Sequence, residues 1–171
     1  DLISFFSLAF DLSIQLPNEY VLSYAIQRIK RINLVSDKNF DILEIMLLKT
    51  MVAEPSTIKE VFRVLYTYKD KVKVRNVEKV LLDFIKFNCP RGNDYELSWA
   101  LWIAKTFSIK LPKSIAEIIS KSGDTISILI ALDLVQCGLM KKADLDTTEW
   151  ETKLDSASLL DENWLLAYEL G

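Results

Sequence analysis

The chain of 171 residues contains no histidine. That absence removes the usual general base near neutral pH, the Ser-His-Asp and Cys-His arrangements, and histidine-containing zinc sites. Cys89 and Cys137 are the only two cysteines. They are too few and too far apart for a zinc pattern or a disulfide framework, and read as small apolar residues in a reducing compartment. Glycine and proline are scarce, four of each, which disfavours an all-β fold with many turns. The sequence carries no phosphate-cradling glycine loop, dinucleotide fingerprint or CxxC pair. Its longest uncharged apolar stretches, 2–10 and 125–132, fall far short of the about 20 residues needed to span a bilayer. The first also lacks the basic region that precedes a signal peptide core.

Half of the residues are apolar, enough for a proper core in one domain or in a short array of repeats. Apolar positions recur at three and four residues along almost the whole chain, which is the helical period. The spacing predicts helices over 2–12, 17–32, 38–52, 56–69, 74–88, 94–107, 112–122, 125–137, 146–154 and 158–170. Pro17, Pro55 and Pro112 fall at helix starts, where a missing N–H is harmless. Thr57 with Glu60, and Asn93 with Glu96, have capping-box spacing. Gly123 and Gly138 fit the left-handed position just past a helix, with Leu139 able to fold back onto the preceding turn. LAFDLSIQLP (8–17) and IAKTFSIKLP (103–112) align without a gap, and this echo suggests repeated helix pairs. Ile126, Ile128, Leu129, Ile130, Leu132, Leu134 and Val135 make one helix apolar nearly all round, a pattern expected where a helix is covered on most sides. Helix 94–107, with Leu97, Ala100, Leu101, Ala104, Trp99, Trp102 and Phe107, joins it in the expected inner layer.

The net charge of −3 is unevenly distributed: 59–86 carries eight Lys/Arg against four Asp/Glu, and 144–171 one lysine against eight acids. Asp144, Asp146, Glu149 and Glu151 read as a solvated acidic face. Arg28, Lys30 and Arg31 suit a helix C-terminus. One stretch combines basic density, aromatics and a helix connection: Tyr66, Tyr68, Lys69, Lys71, Lys73, Arg75 and Lys79. Such a cluster can touch phosphates, positioning a nucleic acid without reading its sequence, although Asp70 and Glu78 interrupt it and a solvated face explains it too. Trp99 with Trp102, and Trp164 with Tyr168, share helix faces at three- and four-residue spacing. They read as core aromatics, with base-stacking platforms as the alternative.

ELSWALWIA (96–104) and ENWLLAYE (162–169), with SIKLPKSIAEIIS, ISILIALDLVQCGL and an acidic segment between them, resemble the C-terminal helical region of bacterial defence-associated reverse transcriptases of the antiviral, abortive-infection type. The resemblance covers 94–171. The family's Tyr-x-Asp-Asp, which holds two metals for polymerisation, has no counterpart at the six tyrosines; the nearest approach, Tyr68 to Lys71, has a single aspartate flanked by lysines.

The expected fold is all-α, about ten helices in antiparallel pairs forming a HEAT-like right-handed array. It is expected as one domain over 1–171, with a sub-division at 1–90 and 91–171, and as a fragment of a longer cytoplasmic polypeptide. The resemblance implies a non-catalytic C-terminal accessory domain of an RNA-directed DNA polymerase. Its implied partners are the polymerase domain of the same chain, RNA or DNA, and a second copy in a homo-oligomer, with no membrane. No cofactor is expected in this segment, and Mg²⁺ only in the polymerase domain. A generic helical-repeat module for protein–protein contacts is the alternative.

Overall fold

The computed structural model describes residues 37–90, 94–121 and 124–150. Expected helices 2–12, 17–32 and 158–170, the caps at Pro17 and Asn93, Gly123, Arg28 to Arg31, ENWLLAYE and the first copy of the echo lie outside the described residues. Among those residues every regular element is helical: α1 Asp37–Ala53, α2 Ile58–Thr67, α3 Val74–Asn88, α4 Asp94–Thr106, α5 Lys113–Ser120 and α6 Thr125–Gln136. Short 3₁₀ turns cover Pro55–Thr57, Lys69–Lys71 and Lys142–Asp144. No described helix is long and apolar enough to cross a membrane.

Helices α1 and α3 each bury one stripe. On α1 it runs Phe40, Leu43, Leu47, Leu48 and Met51, and on α3 Val77, Leu81, Phe84 and Ile85, the spacing that places side chains on one face of a 3.6-residue period. Helix α1 packs on α2, α3 on α4 and α5 on α6; in addition α1 packs on α3, α3 on α5, α2 on α4 and α4 on α6. The six helices therefore form three sequential pairs laid out in two layers, α1-α3-α5 and α2-α4-α6. Contacts of α3 with α4 and α5 join the residues before position 90 to those after it. Helix α4 meets α2, α3 and α6, and its Ala100, Leu101, Ile103 and Ala104 are fully buried.

The SIKLP stretch has a geometric reason. Ser108 takes φ of 54°, the Ile109 N–H returns to the Ala104 carbonyl at 2.8 Å and the Ser108 N–H reaches Lys105 at 3.1 Å, closing α4 in a Schellman motif. Ile109 and Leu111 are then buried, and Pro112, at φ −75° and ψ 165°, opens α5. Helix α6 ends the same way: Gly138 has φ of 71°, and Leu139 N–H bonds the Leu134 carbonyl at 2.9 Å. The two closures meet where Leu111 N–H donates to the Leu139 carbonyl at 2.8 Å.

Three expectations need correction. Thr57 does not cap α2 with its side chain: it has helical φ/ψ of −82° and −1°, because the preceding 3₁₀ turn has already started the winding. Its hydroxyl donates instead to the Glu54 carbonyl at 2.7 Å. The helix expected over 146–154 is not formed at its start. Asp146 accepts from the Thr148 N–H at 3.1 Å and hydroxyl at 2.6 Å, a local turn that competes with helix, and residues 148–149 are turn. Finally, Leu129 is not among the covered positions of α6: Ile128, Ile130, Ala131 and Leu134 are buried and most of the helix is covered, while Leu129 remains 47% exposed, since α4 and α5 are the helices against which α6 packs most.

Candidate nucleic-acid interface

The connection between α2 and α3 carries the basic-aromatic stretch, and its residues face different neighbours. Tyr66, in the last turn of α2, is 41% exposed; its ring lies 5.8 Å from Phe62, and the Lys69 ammonium stands 5.5 Å from its centroid. Tyr68 is half-buried against Phe40, centroid to centroid 5.4 Å, so its ring belongs with the α1 packing. Lys69, Lys71, Lys73, Arg75 and Lys79 are all exposed. Lys73 Nζ pairs with Asp41 on α1 at 2.7 Å, and this hydrogen bond holds the ammonium above its ordinary pKa against the opposing effect of desolvation. Lys79 lines a groove of about 500 Å³ between α1 and α3 with Ile45, Leu48, Lys49, Val52 and Val80. Tyr66 and Lys69 thus come together at the end of α2, whereas Lys73 and Lys79 face α1.

A second feature emerges on the outer side of α2 and α4. Phe62, 1% exposed, forms a hub. Trp99 lies 5.7 Å and Trp102 6.4 Å from its ring, and Tyr95 packs edge-on to Trp99 at 6.4 Å. Trp99 and Trp102 are half-buried against the core. Lys59 stands 5.7 Å over Trp99, and Lys105 5.3 Å over Trp102 while pairing with Asp133 of α6. Partial burial, then the carboxylates of Glu60 and Glu96, raise the Tyr95 hydroxyl above its ordinary pKa, with Trp99 and Arg63 acting the other way.

No protein-family model, curated protein or solved structure matches this chain. Among the described residues no group of three or more His, Cys, Asp and Glu side chains is placed to hold a metal ion.

Two parts of this region escaped the sequence reading. Glu44 is fully buried and reaches from α1 to the start of α3. There its carboxylate accepts the Lys73 backbone N–H and the Asn76 side-chain amide, each at 2.9 Å. A helix N-terminus attracts negative charge and has unsatisfied N–H groups, so this carboxylate is a tertiary cap. The available signal was a lone acid on the apolar stripe between Phe40 and Leu48. The lysines over Trp99 and Trp102 are the other omission. Lys105 sits three residues after Trp102 on one helix and was legible, whereas Lys59 reaches Trp99 from α2 and depends on helix pairing.

Proposed function

We propose that this chain is a non-catalytic helical-repeat accessory domain of an RNA-directed DNA polymerase of the antiviral type, with a HEAT-like stack of helix pairs that packs against the polymerase body and shapes the path of a nucleic acid. The observation that carries the reading is the position of the ELSWALWIA helix. It is α4, which meets three other helices and sets Trp99 and Trp102 against Phe62, the buried ring that also supports Tyr66. The two-layer contact pattern supports the array, since stacked pairs each bury a face completed by the next pair and leave long outer surfaces for binding. Nucleic-acid contact at Tyr66 to Lys79 belongs to the same proposal, as do the cytoplasmic setting and self-association.

A second reading, a protein-interaction module, is favoured by one observation. The α1–α3 groove is lined by Ile45, Leu48, Val52 and Val80, with Ile45 and Val52 about half exposed, and an apolar groove of this kind accepts an amphipathic helix. The coding sequence upstream of Asp1 separates the two. The accessory-domain reading requires an in-frame polymerase with Tyr-x-Asp-Asp, and an unrelated upstream frame contradicts it.

A further inference from the structure

We infer that the outer surface of the α2-α4 layer binds single-stranded nucleic acid through Tyr66, Trp99 and Trp102, each of which carries a lysine ammonium over its ring. This deepens the accessory-domain reading, on which it rests for the source of the strand. The binding itself requires nothing beyond the residues of this chain.

The three rings are fixed relative to one another by one buried support. Their centroids lie 5.8, 5.7 and 6.4 Å from that of Phe62, and Phe62 is held in the core. Three lysines from different places converge on them: Lys69 from the 3₁₀ turn, Lys59 from the first turn of α2 and Lys105 from the last turn of α4, at 5.5, 5.7 and 5.3 Å. An ammonium over a partly exposed ring gains less than a stacked base does. A base arriving at the ring therefore displaces the lysine favourably, and the displaced lysine meets the phosphate that the base brings with it. Every base has an aromatic face, so the surface accepts strands without regard to sequence, whereas a duplex hides its base faces and offers only phosphates.

Charges around the rings set the limits. Arg63 is exposed on α2 and adds to the three lysines. Glu60 and Glu96 lie close enough to act on Tyr95, with Arg63 opposing them, so a phosphate meets mixed charge at that ring. Asp133 competes with phosphate for Lys105, which makes the Tyr66 and Trp99 positions dominant. Binding is expected to be weak and steeply salt-dependent.

The test is a titration of the chain with oligothymidylate and oligoadenylate, as single strands and annealed to each other, at low salt, read by intrinsic tryptophan fluorescence and by anisotropy of a labelled strand. Quenching by both single strands, with weaker binding of the duplex, is expected. Tyr66→Ala combined with Lys59→Ala should lower affinity by about tenfold or more, and Tyr66→Phe should retain it; circular dichroism of each variant confirms that the fold persists. The inference is overturned by no binding at low salt, by equal binding of duplex, or by unchanged affinity in the double variant. It is equally overturned if charge reversal at Lys71, Lys73 and Arg75 abolishes binding while the double variant leaves it intact. Failure here is distinct from failure of the accessory-domain reading, which depends on the upstream frame and not on oligonucleotide affinity.

Discussion

Replacing Lys73 by proline removes a backbone N–H along with the lysine side chain, and the consequence of losing the N–H can be worked out from the cap it serves. The backbone N–H of Lys73 donates to the buried carboxylate of Glu44 at 2.9 Å. Proline has no such N–H but suits the local backbone: Lys73 has φ of −84°, and Val72, at φ −65° and ψ 129°, is already in the extended conformation that a following proline requires. The Asn76 and Val77 N–H bonds to the Lys73 carbonyl survive. What remains is a buried carboxylate oxygen without its donor, which costs about 1–3 kcal/mol and more when the group is charged. For a chain of this length that corresponds to a melting point lower by about 4–8 °C at the middle of the range. Lys73→Ala is the control. It removes only the ammonium paired with Asp41, where both side chains are about half exposed, and exposed pairs are screened by solvent; its melting point should match the parent. Glu44→Gln, which keeps an acceptor but loses the charge, should fall between them. Thermal melts and urea titrations followed by circular dichroism read all three. If Lys73→Pro and Lys73→Ala unfold together, Glu44 does not cap α3 and the reasoning is wrong.

Further outcomes follow from the same geometry. Ile128→Ala should destabilise by about 2–5 kcal/mol because the side chain is fully buried, whereas Leu129→Ala, at 47% exposure, should cost much less; equal losses in urea titrations would mean that α6 is covered on its outer side. Ser108→Gly should stabilise by up to about 1 kcal/mol, since Ser108 holds a left-handed backbone that glycine adopts without penalty. Gly138→Ala should destabilise by about 1–2 kcal/mol for the mirror reason. Because a Cβ there meets nothing within 4 Å, a loss well beyond that range would point to a contact on the outside of this turn.

Much of the helical architecture was legible because it depends on local chemistry. The apolar period marks α1, α3, α4 and α6 to within a residue or two of their observed ends, and Pro112 and Gly138 punctuate where backbone geometry demands it. The errors fall where tertiary context decides. Thr57 looks like a cap until Pro55 starts a 3₁₀ turn before it, and Leu129 looks buried because periodicity counts apolar faces but not neighbouring helices. The candidate site shows the same division. Tyr66 and Lys69 are close in sequence and meet in space. Tyr68 turns toward Phe40, and the Phe62, Trp99 and Lys59 grouping exists only once α2 lies against α4.

The central claim, that this chain is the accessory part of a polymerase and not a catalyst itself, is tested most directly by Mg²⁺-dependent incorporation of labelled deoxynucleotides. The assay compares the full-length gene product with the isolated chain, on RNA and DNA templates and without template. The account predicts incorporation by the full-length protein and none by the chain alone. Incorporation that tracks with the purified chain, or a full-length protein inactive under every template condition, would contradict it.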